Sequence, residues 1–263
     1  MKPTSITTSR HAAHPLPPDR EQVLAHNRCQ VQLLGGFRAT RAGIDIGLPA
    51  CTWRLVAFLA MASRPVERAY VANVLWVEKS EERAHANLRS CLWRLRQADD
   101  QLVTSGATHL SIGASVQIDL HRFLVVARRL VDPHDDVLDI DAMQVEWFCA
   151  DLLPDWYDDF VEVEREQFRQ LRLHAMEAFA QRLQRAGSPQ RALDIALTAV
   201  AAAPLRESAH RLVISMHLEE GNIFEALRQY DMLRSLLHNQ LGVAPSIAVR
   251  RLVEPWLVPA SRR

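Results

Sequence analysis

Apolar residues in this chain alternate with polar ones near the N-terminus, take up helical spacing from Thr52, and enter a long helical run at Tyr157. Residues 30–37 (Gln-Val-Gln-Leu-Leu-Gly-Gly-Phe) and the alternation over 44–48 behind Gly43 predict an N-terminal β-meander. Leu55, Val56, Phe58, Leu59 and Ala62 then fall on one helical face, which Arg64-Pro65 ends. A second helix is predicted over 67–76 with Val71, Val74 and Leu75 inward. A third follows Ser80, an N-cap residue backed by Glu81 and Glu82 at the positive end of the helix dipole, and runs to about Asp99. Residues 102–104, a Ser105-Gly106 turn, 110–112 and 116–120 predict a hairpin with a further edge strand. Strands, three helices and a hairpin, in that order, are the layout of a winged helix-turn-helix. Residues 121–131 read as helix and 132–136 as an acidic linker.

Beyond Tyr157 the helical pattern breaks at Gly187-Ser188-Pro189, Ala203-Pro204, Gly221-Asn222 and Gly242 to Pro245. Gly187, Ala192 and Leu193 return 34 positions later as Gly221, Ala226 and Leu227. That is the tetratricopeptide period, in which antiparallel helix pairs stack to bury stripes that no pair can bury alone. The expected class is therefore an α+β N-terminal winged helix-turn-helix followed by an all-α tetratricopeptide-like domain. The boundaries expected are a tail at 1–28, the winged helix at 29–120, the helical domain at 121–258 and a tail at 259–263.

On the third helix Ala84, Leu88, Cys91, Leu92 and Leu95 share a face that must be core. The other side carries Arg83, Ala86, Arg89, Ser90, Trp93, Arg94 and Gln97. Arginines match guanine edges or phosphates and small neighbours permit close approach, so this face suits a major groove; an ordinary solvated face would also carry charge. Which of Arg83, Arg89 and Arg94 reads bases stays open; Arg89 and Arg94 are the leading candidates for phosphate or guanine, with Ser90 and Gln97 behind them. Asn87, at the edge of the stripe, fits internal packing as well as DNA contact. Trp93 needs a cover from DNA sugar or thymine methyl, a second subunit or the neighbouring domain. Protein contact is favoured, because a bulky ring at the centre of the face hinders base approach. Thr104, Ser105, Thr108 and His109 at the hairpin tip could reach phosphate or the minor groove, or form a plain polar turn.

Charge sharpens this picture. Residues 1–120 hold 14 basic against 10 acidic side chains, and residues 121–263 hold 17 against 21, so the net zero conceals a basic and an acidic half. The four cysteines form no CxxC pair and lie in apolar stretches, which predicts buried thiols in a reducing cytoplasm. Neither a signal peptide nor a transmembrane run is present in the sequence.

The runs Leu33-Leu34-Gly35-Gly36-Phe37, Arg64-Pro65-Val66 with Leu75-Trp76, Ser80-Glu81-Glu82-Arg83-Ala84, Asn87-Leu88-Arg89-Ser90 and Leu92-Trp93-Arg94-Leu95-Arg96 resemble the winged helix of the Streptomyces antibiotic regulatory protein (SARP) family. Asp151-Leu152-Leu153-Pro154, Trp156-Tyr157-Asp158-Asp159, Glu164-Arg165-Glu166, Gly221 with Glu225-Ala226-Leu227 and Tyr230, and Leu241-Gly242-Val243 with Pro245-Ser246 resemble its bacterial transcriptional activator domain. The resemblance spans about residues 29–257. It implies an OmpR-type winged helix, a pathway-specific activator of secondary metabolism such as antibiotic biosynthesis, binding to tandem direct repeats of promoter double-stranded DNA as a homodimer, and recruitment of RNA polymerase through contacts that include the sigma factor. It carries 83–97 over as the recognition helix and 105–109 as the wing tip. Larger relatives append a nucleotide-hydrolysing module; no GxxxxGK[ST] loop occurs here, so a minimal, ATP-independent member is expected.

Other constellations point to no enzyme, cofactor or metal. Asp132, Asp135, Asp136, Asp139 and Asp141 fit no EF-hand register, and the histidines show no HExxH or paired Cys/His spacing. The carboxylates at 158, 159, 162, 164 and 166 share a helix with Arg165 and Arg169, which explains them as intrahelical pairs. Two alternatives from other classes remain: a tetratricopeptide-type protein adaptor and a ligand-sensing regulator.

Overall fold

The computed structural model describes residues 29–62, 64–135 and 148–257. The two expected tails, Val258, and Asp136, Asp139 and Asp141 of the acidic stretch lie outside the described residues. Strand β1 (Cys29–Gln32) buries Cys29 and Val31 and pairs antiparallel with β2 (Arg38–Arg41), which pairs in turn with β3 (Ile44–Asp45). The predicted meander forms, but its third strand stops at Asp45. There the Asp45 carboxylate accepts the Gly47 N–H at 2.7 Å and turns the chain towards α1.

Helix α1 (Ala50–Met61) buries Leu55, Val56, Ala57, Leu59 and Ala60, while Phe58 and Ala62 are only half-buried. After β4 (Val66–Glu67), helix α2 (Arg68–Leu75) turns Val71, Ala72 and Leu75 inward; Val74, expected inside, is half-buried, and Ala72 is buried instead. Ser80 stands at the N-cap of α3 (Glu81–Ala98), yet its hydroxyl makes no capping bond and its carbonyl accepts the Ala84 N–H. Strands β5 (Val103–Ser105) and β6 (His109–Ile112) form the expected hairpin, with β4 as its third strand.

The segment expected to extend this hairpin goes elsewhere. Gly113, where a Cβ would stand 1.9 Å from the Gln101 carbonyl oxygen, permits a tight departure from β6. Strand β7 (Gln117–Ile118) then joins the N-terminal sheet parallel to β1, giving the order β3-β2-β1-β7. Helix α4 (Asp119–Val131) follows at once. The Asp119 carboxylate accepts the N–H groups of Leu33, Leu34 and Leu120 at 2.7–3.1 Å, while burial pushes its pKa up against the pull of those donors.

The rest is helical: α5 (Asp159–Arg185), α6 (Pro189–Ala202), α7 (Glu207–Glu219), α8 (Ile223–Leu241) and α9 (Ile247–Val253). The repeat is structural as well as textual. Gly187 and Gly221 both adopt φ +78°, and the residue after each donates its N–H back to the preceding helix, Ser188 to Leu183 at 2.9 Å and Asn222 to His217 at 2.8 Å. Near the start of this half Asp135 pairs with Arg129 at 2.6 Å, which accounts for one member of the acidic stretch.

Two segments far apart in sequence join the halves. Gly35 donates to Asp151 O at 2.8 Å, Leu153 donates to Leu33 O at 2.9 Å, and Leu34 and Leu152 form an antiparallel bridge. From α5, Arg165 donates to the carbonyls of Leu152, Leu153 and Trp156, and the buried Arg172 donates to Ala150 O and pairs with Asp151 at 2.6 Å. Leu153 sits at φ +43°, a conformation a leucine tolerates only where its surroundings fix it, as these arginine bonds do. One hydrophobic core consequently runs from Cys29 to Met216, and a smaller one lies between α7, α8 and α9.

Candidate nucleic-acid interface

Helix α3 divides as its pattern predicts. Ala84, Leu88, Cys91 and Leu95 are buried and Leu92 is half-buried, whereas Arg83, Ala86, Arg89, Ser90, Trp93, Arg94 and Gln97 are exposed. Asn87 is half-buried at the boundary. Trp93 is 64% exposed, so of the covers weighed for it the neighbouring domain is not one among the described residues; that half meets the winged helix through α1 and the end of β1.

Helical spacing splits the exposed face. Arg89, Trp93 and Arg96 face the wing and, with Arg68, Thr104 and Ser105, line an open groove of about 440 Å³ between α3 and β5. Asp99 also borders that groove, but its carboxylate is held by Arg41 of β2 through two bonds of 2.8 Å. This ties the C-terminal end of α3 to the N-terminal sheet. On the other side Arg94 lies over the start of α1, its Nη1 donating to Cys51 Sγ at 3.2 Å.

The wing tip is exposed at Thr104, Ser105, Thr108 and His109. Gly106 closes the turn by donating to His109 O at 2.9 Å, and Thr108 Oγ1 lies 2.9 Å from His109 Nδ1. Arg68, absent from the sequence-derived set, holds this tip. Its N–H donates to Thr108 O at 2.9 Å and its guanidinium to Ser105 Oγ at 2.8 Å. One signal was there to find: a cation in the first turn of a helix opposes the dipole and needs another reason. Arg96 was also missed as a site residue, though its spacing from Arg89 and Trp93 places all three on one strip.

The cysteines divide against expectation. Cys29 and Cys91 are buried, but Cys51 and Cys149 are exposed, because each lies at an element boundary and not within an apolar stripe. Burial pushes the Cys91 thiol up to about 12 and Cys29 to about 11. Among the described residues no group of three His, Cys, Asp or Glu could hold a metal ion, and no helix is long and apolar enough to cross a membrane.

Residues 145–255 match the family model described as the bacterial transcriptional activator domain. No curated protein matches the chain. Among solved structures it is similar to Mycobacterium tuberculosis EmbR, solved in complex with a low affinity phosphopeptide, with a TM-score of 0.69 at 20% identity. The alignment covers 86% of this chain and 64% of that one, so the chain spans a little under two thirds of EmbR's length. At that identity the likeness speaks for the fold, and it includes the α/β half in front of the matched domain. Residues 145–255 thus carry a bacterial transcriptional activator domain, behind an α/β half that shares its fold with EmbR.

Proposed function

We propose that this chain is a sequence-specific activator in which residues 29–120 bind promoter direct repeats and residues 121–258 recruit RNA polymerase, including its sigma factor. The observation that carries the reading is the arginine-rich face of α3 beside a braced wing. A helix of this width with exposed Arg83, Arg89 and Arg94 fits a major groove, and the wing tip reaches the adjacent backbone. Two protomers on tandem repeats, a cytoplasmic setting and pathway-specific control of antibiotic biosynthesis follow from the family resemblance. Modest polymerase contacts suffice, because DNA tethering raises the partner's effective concentration. The exposed Phe224 and Met232, two turns apart on α8 with the exposed Arg228 between them, offer a mixed apolar and basic strip for such contacts.

Mobility shift of the chain on promoter fragments across a salt series, with Arg89→Ala and Arg94→Ala beside it, tests the reading. Repeat-dependent complexes that weaken with salt and with either substitution are expected. Binding that ignores both salt and sequence would favour the protein-adaptor alternative.

A further inference from the structure

We propose that the groove between α3 and β5 seats one sugar-phosphate strand of the DNA duplex, with Arg89 and Arg96 on two of its phosphates and Trp93 on the deoxyribose between them, so that base reading falls to Ser90, Arg94 and Gln97 on the far side of the helix. The assignment rests on the DNA-binding reading above and divides its residues into two roles.

A helix in the major groove and a wing in the adjacent minor groove stand on either side of one backbone strand, which has to cross the space between them. In this fold that space is the open groove of about 440 Å³ lined by Arg68, Arg89, Trp93, Arg96, Thr104 and Ser105. Its charge suits a polyanion. Arg68 donates only to neutral partners, Ser105 Oγ and Gly106 O, and so keeps its full charge. Among the described residues neither Arg89 nor Arg96 has a side-chain partner. Of the two carboxylates at the rim, Asp99 is paired with Arg41 at 2.6 Å, which leaves Asp100 facing three guanidiniums.

Spacing along α3 assigns the contacts. Arg89 and Arg96 are two turns apart, about 10 Å along the axis, with the indole of Trp93 standing between their side chains, so each takes its own phosphate. Trp93 is 64% exposed and presents a flat apolar face. Between two phosphates the apolar part of a strand is the sugar ring, which gives the indole its cover. Against the sugar, the ring also stands clear of the bases. Ser90, Arg94 and Gln97 do not line the groove, and Arg94 is held on the side away from the wing by its bond to Cys51 Sγ.

The test measures the dissociation constant of the full chain and of single variants by fluorescence anisotropy across a salt series, on a promoter duplex and on a scrambled duplex of equal length. A backbone contact is blind to sequence. Arg89→Ala and Arg96→Ala should therefore each lose affinity by the same factor on both duplexes, about three-fold or more, with a salt slope shallower by about one. Trp93→Ala should also lose equally on both, with its salt slope unchanged, and Trp93→Phe should recover most of that loss. On a promoter duplex with deoxyuridine in place of thymidine, the ratio of wild-type to Trp93→Ala affinity should stay the same. Arg94→Ala should lose more on the promoter than on the scrambled duplex. A Trp93→Ala loss confined to the promoter would make the indole a base reader or a contact between neighbouring protomers, and a ratio that shrinks on deoxyuridine would make it a thymine-methyl reader; either overturns the proposal. So do Arg89→Ala and Arg96→Ala variants with the wild-type salt slope, or an Arg94→Ala variant that loses equally on both duplexes. These outcomes leave the DNA-binding reading standing, whereas a wild type that binds neither duplex removes that reading and the strand seat together.

Discussion

At the scale of single residues, the arginines of α3 are not equivalent. Arg89 lines the groove beside the wing and Arg94 rests on Cys51, so truncating each removes a contact on a different side of the same face. Each alanine substitution is expected to cost about 1–3 kcal/mol of promoter affinity where the side chain reads a base. A phosphate contact shows instead as a salt slope shallower by about one, so a salt titration assigns the two roles. Most of this face was legible in the sequence, because a buried stripe recurring every three or four residues fixes what the opposite side must carry. Arg68 and Cys51 were not legible, since their partners Ser105 and Arg94 stand about 40 residues away and only folding brings them together. His210 is a further residue whose meaning is tertiary. Its buried ring bridges Pro204 O at 2.9 Å and Gln229 at 2.8 Å, and burial lowers its pKa from the ordinary 6.5. Above that value the neutral ring carries no penalty in either state. As pH falls below it the unfolded chain takes the proton first, so stability declines until the lower folded pKa is reached. Urea midpoints measured from about pH 7.5 down to about pH 5 should therefore fall more steeply for the wild type than for His210→Gln.

Elements were read from the sequence with uneven success, and the reason is range. α1, α2, α3 and the four long helices of the C-terminal half declare themselves through local spacing, glycines and prolines. β7 did not, because two residues, Gln117 and Ile118, carry no preference between extending the wing and joining a distant sheet. What decides is Asp119. Its carboxylate satisfies Leu33 and Leu34 N–H groups, which continue β1 beyond its last ladder pair, and starts α4 in the same place. Asp119→Ala would leave those donors without their acceptor in a part-buried site and release β7. A loss of about 2–4 kcal/mol is expected, the sum of orphaned backbone groups less partial rehydration. Hydrogen exchange reports it locally: protection of the Leu33 and Leu34 amides should fall before that of Leu88 or Cys91 in α3. Equal loss across both elements would mean that the carboxylate supports the whole fold and not this junction.

Across the whole molecule, the junction between the halves is continuous. The Leu34–Leu152 bridge, the Arg165 bonds to three carbonyls and the unbroken core from β1 to α7 leave no plane along which the winged helix could separate without exposing buried apolar surface. Under the proposed function, a flexible tether would only raise local concentration, whereas this arrangement would fix the direction in which α8 is presented when α3 sits on DNA. Continuity of the core also predicts thermodynamic unity: calorimetry should give a single transition with calorimetric and van't Hoff enthalpies in agreement. Arg165→Ala removes three charge-assisted bonds at the strained Leu153 turn, and because its own side chain is about one fifth exposed the expected cost is about 2–4 kcal/mol and not their full sum. For a chain of this size that lowers Tm by about 5–10 °C. If the halves are coupled, the variant still melts in one step; if the junction is a mere contact, it melts in two, with the α4 to α9 half unshifted. Promoter binding separates from activation in the same variant. A seated but misdirected α8 should leave affinity for DNA near that of the wild type while transcription from the promoter falls.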